Sequence, residues 1–72
     1  MKTEWKDTNY AGVTYYSLFV GGSIKGEYWV DNGNFIVKND TRKATSHSEA
    51  KQMVVENYKK KLQEELQALE SL

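Results

Sequence analysis

The sequence predicts an α+β fold, a three-stranded antiparallel meander followed by one long C-terminal helix (β-β-β-α), and three observations carry that prediction. Two β-branched and aromatic runs, VTYYSLFV from Val13 to Val20 and SIKGEYWV from Ser23 to Val30, flank Gly21-Gly22. Apolar runs around a two-residue glycine turn form a hairpin signature. Asp31 then leads into Asn32-Gly33, a pair suited to a type I′ turn because both central residues take positive φ, and Phe35 to Lys38 follows as a third strand. No Gly or Pro occurs beyond Gly33. Ser46-His47-Ser48-Glu49 has the form of a capping box, with Ser46 as N-cap and Glu49 reaching back to its amide, so a helix is expected from there to about Glu70.

Residues 1–9 are polar apart from Met1 and Trp5 and are expected to form an extended lead-in, with Trp5 covering a sheet edge or the core margin. Turning at Gly21-Gly22 pairs Phe19 with Ile24, Tyr15 with Tyr28 and Val13 with Val30, and turning at Asn32-Gly33 pairs Val30 with Phe35 and Tyr28 with Val37. These residues fall on one face, which is the expected core face, because register decides the face of every side chain. The opposite face then carries Thr14, Tyr16, Leu18, Lys25, Glu27, Trp29, Ile36 and Lys38. Gly26, inside the second strand, signals a bulge or close packing against a neighbour. The segment from Asn39 to His47 reads as a polar loop.

At about 1.5 Å per residue the helix is on the order of 36 Å long, whereas strands of about seven residues span only ~23 Å. Its last turns are therefore expected to overhang the sheet. The helical pattern agrees, since its apolar residues fall on two faces roughly 90° apart. Ala50, Met53 and Val54 form a sheet-facing set. Val55, Tyr58, Leu62, Leu66 and Leu69 form a second stripe that resembles a short coiled-coil seam, and Val55, Leu62 and Leu69 are expected to pair in an antiparallel homodimer. Glu64, Glu65 and Glu70 near the C-terminus oppose the helix macrodipole, so an unpartnered end should fray.

The 72 residues are read as a single domain, with lead-in 1–9, sheet 13–38 and helix 46–70, near the lower size limit for one hydrophobic core. Ten Lys and Arg balance ten Asp and Glu, so no net field attracts a polyanion. The absence of cysteine removes disulfides and thiolate metal sites, and it fits a reducing compartment. With no signal peptide and no apolar run near the ~20 residues of a membrane span, the expected location is the cytoplasm. Asn39-Asp40-Thr41 matches a glycosylation pattern and is read as chance.

One histidine, no cysteine and no recognisable carboxylate pair argue against catalysis, and no cofactor or metal is expected. His47 is read as a solvent-exposed residue of the first helical turn. Gly21-Gly22 is a turn rather than a phosphate loop, because no helix N-terminus follows it. Three surfaces remain as binding candidates. The outer sheet face offers Tyr16, Leu18, Lys25, Trp29, Ile36 and Lys38 as partner-binding residues, since Trp and Tyr dominate interface hot spots. The stripe Val55, Tyr58, Leu62, Leu66 and Leu69 offers a dimer or partner seam. A basic set, Lys25, Lys38, Arg42 and Lys43, offers phosphate contacts, while Lys59-Lys60-Lys61 is read mainly as a solvated face.

Two groups share this order of elements. The helix opening SHSEAK, Ser46 to Lys51, resembles the end of the arm-type DNA-binding domain of tyrosine recombinases, an AP2-like fold whose three-stranded sheet enters the major groove. That resemblance covers residues 13 to about 66 and implies that Tyr16, Lys25, Trp29 and Lys38 face DNA, although Glu27 and Asp31 lie beside them and the usual basic excess is missing. The short chain, the Tyr28-Trp29-Val30 strand before Asn32-Gly33 and the SEAK helix start also resemble small phage and mobile-element proteins that inhibit host defence systems, anti-CRISPR proteins among them. This second resemblance implies a non-enzymatic protein that binds another protein and blocks it by occlusion. Double-stranded DNA is the alternative partner. A double-stranded-RNA-binding domain also ends β-β-β-α, but its preceding helix is missing here.

Overall fold

The structure, a computed structural model, describes residues 2–72; Met1, the first residue of the expected lead-in, lies outside them. It is an α+β arrangement of a five-stranded antiparallel sheet and one C-terminal helix. The strands are β1 (Thr3–Tyr10), β2 (Val13–Val20), β3 (Ser23–Asp31), β4 (Asn34–Val37) and β5 (Lys43–Ala44), in spatial order 1-2-3-4-5, and α1 spans His47–Glu70.

Each of the first three connections is a two-residue turn with positive φ at both positions: Ala11 and Gly12 at 53° and 81°, Gly21 and Gly22 at 60° and 84°, Asn32 and Gly33 at 50° and 78°. Such turns match the right-handed twist of the strands they join. The two glycine-bearing turns expected from sequence are in place. The Ala11-Gly12 turn is an addition, and it converts the expected lead-in into an edge strand paired with β2 from Thr3↔Val20 to Tyr10↔Val13. The short β5 is a second addition, pairing Phe35 with Ala44 and Ile36 with Lys43 inside the segment expected to be loop.

The β3–β4 register is the expected one, with Tyr28 opposite Val37 and Val30 opposite Phe35. The β2–β3 register is not. Phe19 faces Ile24 as expected, but Leu18 then faces Gly26, Tyr16 faces Tyr28 and Tyr15 faces Trp29. Lys25 is thus an extra residue on β3, a β-bulge, and beyond it every side chain of β2 is shifted by one relative to β3. Tyr16 and Leu18, expected on the outer face, lie on the helix side. Val13, Tyr15, Phe19 and Ile24, expected in the core, lie on the other side.

The helix packs over β3, β4 and β5. Leu18, Tyr28, Val37 and Ala44 from the sheet meet Ala50, Met53 and Val54 from α1, all buried, and Trp5, Tyr16, Val20, Phe35 and Val55 pack around them, partly buried. Burying each large apolar side chain contributes about 1.5–3 kcal/mol. Gly26 is what lets α1 sit down on the sheet, because a Cβ there would lie 2.6 Å from Val54 Cγ1. The sequence signal at Gly26 therefore marks both a bulge and a close helix approach.

Ser46 is the N-cap and its hydroxyl accepts from the Glu49 amide at 3.1 Å. The reciprocal half of the capping box does not form: the Glu49 carboxylate accepts from Thr45 Oγ1 at 2.9 Å instead. Every residue from Lys59 to Leu72 is exposed, so the helix overhangs the sheet as expected, in a molecule 45 Å long and 26 Å wide. No helix among the described residues is long and apolar enough to cross a membrane.

Candidate docking faces

The sheet has two unlike faces because only one of them meets the helix. On the helix side an aromatic cluster fills the layer. Tyr16 stacks on Tyr28 with ring centroids 4.9 Å apart and planes at 13°, and Trp5 meets Tyr28 edge-on at 5.8 Å. His47 closes the top of the cluster, its ring edge-on to Tyr16, Tyr28 and Phe35, and its Nδ1 lies 3.0 Å from the Tyr28 hydroxyl. Tyr28 has no exposed surface. Its burial, with Tyr16 beside it, pushes its phenol pKa from 10.0 up to about 12, because desolvation disfavours the charged form. His47 is exposed, as expected, but its ring also partners a buried hydroxyl and so has a structural role that the sequence reading omitted.

On the opposite side no element among the described residues covers the sheet. One row runs across all five strands as Thr8, Tyr15, Trp29, Ile36 and Lys43, and the Tyr15 and Trp29 rings lie 5.6 Å apart. Next to it Lys6, Ser17 and Glu27 form a polar row. There the Ser17 hydroxyl donates to Glu27 at 3.4 Å, and Lys38 Nζ sits 3.5 Å from the same carboxylate. Beyond that row Phe19 pairs with Ile24, with Lys6 Nζ 4.8 Å above the Phe19 ring. The face is an aromatic and aliphatic surface crossed by one band of charge.

Of the partner-binding residues expected from sequence, Trp29 and Ile36 stand on this face and Lys38 borders it. Lys25 is the exposed bulge residue. Leu18 is buried at 5% exposure and Tyr16 stacks inside, so neither belongs to the surface. Tyr15, Phe19 and Ile24 take their places. The signal for this exchange was Gly26, since a bulge in mid-strand inverts the facing of everything paired beyond it. Trp5 packs on the helix side and leaves the outer face open.

The basic set does not converge. Arg42 is held by Asp40 through two charge-assisted bonds, Nε at 3.1 Å and Nη2 at 2.8 Å, and Asn57 Nδ2 donates to the same carboxylate at 3.1 Å, tying the loop to the helix. These donors hold the Asp40 carboxyl well below the usual carboxylate range. Lys38 is paired with Glu27, Lys43 ends the outer row, and Lys25 lies at the bulge. An open cleft of about 350 Å³ where α1 leaves the sheet is lined by Gly26, Val54 and Tyr58, with Lys25, Lys38 and Lys61 at its rim. Among the described residues no group of three or more His, Cys, Asp or Glu is placed to hold a metal ion.

In the helical stripe, Val55 packs against the core margin and Tyr58 lines the cleft. Leu62, Leu66 and Leu69 stand in the open at 45%, 56% and 65% exposure. No protein-family model, curated protein or solved structure matches the chain.

Proposed function

We propose that this is a non-enzymatic binding protein, and that the sheet face opposite α1 docks onto another protein and occludes it. On this reading it acts as a phage or mobile-element accessory protein that inhibits a host defence component, in the manner of the small inhibitors that its Tyr28-Trp29-Val30 strand and SEAK helix start resemble. The observation that carries the reading is the uncovered row Tyr15, Trp29 and Ile36, flanked by Phe19 and Ile24. Large aromatics on a rigid sheet supply contact area at low entropic cost, and such residues anchor protein interfaces. A contiguous apolar face on one side of a small sheet marks an interaction surface.

The alternative is a sheet that enters the major groove of double-stranded DNA. Lys43 at the end of the aromatic row and Lys38 at its border would then contact phosphates. The engagement of Arg42 by Asp40 and of Lys38 by Glu27 favours the protein partner, because each cation must leave a carboxylate before it meets a phosphate.

The test has two arms. Anisotropy of a labelled duplex, titrated at low salt and again at about 200 mM, should show no binding; binding that falls steeply with salt, as counterion release requires, would replace the protein reading with the DNA one. Affinity capture from a host lysate should retain a specific protein that a Trp29→Ala variant holds at least about 30-fold more weakly, as expected for an anchoring aromatic. Capture unchanged in that variant would remove the sheet face from the interface.

A further inference from the structure

The overhanging half of α1 is apolar on one side, and that side is exposed at Leu62, Leu66 and Leu69. Tyr58, Leu62, Leu66 and Leu69 recur at intervals of four, four and three residues, so they share one side of the helix. Two flanks border that stripe at about 100° per residue. Lys61 and Glu65 lie on one flank, with Lys59 and Glu70 on the other. On each flank the base precedes the acid along the chain.

That order selects an orientation for a second copy. When two identical helices pair antiparallel about a two-fold axis, each flank meets the same flank of the partner in reverse order, which brings Lys61 opposite Glu65 of the other copy. When they pair in parallel the flanks exchange, and Lys61 meets Lys59 of the other copy. We infer that the protein forms a two-fold antiparallel homodimer through the exposed overhang of α1, centred on Leu62. In this register Leu62 meets its own counterpart, Tyr58 meets Leu66, and Val55 meets Leu69. Lys61 comes within about two residues' rise, roughly 3 Å along the axis, of Glu65 in the other copy. The interface is isologous, so each pairing occurs twice.

The body of each copy completes the seat. Because α1 covers β3, β4 and β5, the margin beside it retains Trp5, Val20 and Val55 only partly buried, and Lys51 Nζ sits 5.4 Å over the Trp5 ring on that margin. The partner's Leu69, set against Val55, reaches this apolar shelf. Pairing therefore covers the overhang of one copy and the core margin of the other at once. The inference is independent of the proposed sheet-face function, since it uses a different surface and a different occupant.

Sedimentation equilibrium at high micromolar concentration should give twice the mass of one chain, and Leu62→Glu should return it to one; Leu62 is exposed, so the fold is retained. A monomeric wild type, or a dimer indifferent to Leu62→Glu, would overturn the inference. Lys61→Glu should weaken the dimer, and adding Glu65→Lys in the same chain should restore it. Because the chain has no cysteine, Glu70→Cys gives a single spin-label site. The antiparallel pairing separates the two labels by roughly 24 Å along the axis, at about 1.5 Å per residue. A short label distance with the dimer intact would replace the antiparallel arrangement with a parallel one.

Discussion

Tyr28 concentrates the residue-scale chemistry of this protein. Its ring is the centre of the aromatic layer and its hydroxyl meets His47 at 3.0 Å, so folding removes the phenol from water but leaves it a partner. The folded-state pKa lies above the unfolded value of 10.0, at about 12. The stability held by the neutral phenol is therefore complete below the unfolded value and lost as pH rises through the folded one. A Tyr28→Phe variant should be about 1 kcal/mol less stable at neutral pH, the usual worth of a hydrogen bond. In urea titrations it should lack the loss of stability that the wild type shows as pH rises through that window. Asp40 behaves with the opposite sign. Its carboxyl is held below the ordinary value of 3.8 by Arg42 and Asn57, so its contribution is present above that value and fades as pH falls below it. Asp40→Asn should lower the melting temperature at neutral pH, with the gap to wild type closing in strong acid.

At the scale of elements, the contact between α1 and β3 depends on an absent side chain. A Cβ at Gly26 would stand 2.6 Å from Val54 Cγ1, and Val54 is a buried β-branched residue with little freedom to move. Gly26→Ala should destabilise the fold by about 1–3 kcal/mol, the usual effect of overpacking. Adding Val54→Ala should recover part of that loss, a coupling that a double-mutant cycle in chemical denaturation would measure. The same glycine lies beside the bulge at Lys25, so the residue that admits the helix also stands where the facing of β2 is decided. The bulge was legible as a local signal in the sequence. Its consequence was less so, because two turns that agree for straight strands still misplace β2 once one extra residue enters β3.

For the whole molecule, the helix divides the sheet into a stabilising face and a free one. Removing an aromatic from the free face should cost less stability than removing one from the helix side, since among the described residues no helix packs there. Trp29→Thr should lower the melting temperature by no more than about 8 °C, the worth of one cross-strand aromatic pair, while abolishing partner capture. A large fall in melting temperature would instead assign the outer face to folding. The asymmetry also explains how much of the candidate site could be read in advance. Trp29 and Ile36 were legible because the Asn32-Gly33 turn sets their register directly. Tyr15, Phe19 and Ile24 were not, because their facing depends on the bulge.

The sequence by itself determined the class of the fold, two of the three two-residue turns, the N-cap at Ser46, the start and length of α1 and its overhang. Each of these is local: positive φ at glycine-bearing pairs, a hydroxyl before a helical run, and a helix longer than its strands. Only the tertiary structure decided that residues 3–10 form an edge strand, that Lys43 and Ala44 add a fifth, and which aromatics face outward. β1 carries one core-facing aromatic, Trp5, and one exposed one, Tyr10, in a run that is polar elsewhere, so its strand state rests on backbone pairing with β2 rather than on a pattern of its own. The outward set depends on how β2 and β3 pair across the bulge, and pairing between strands is a property of two segments at once, which neither segment states alone.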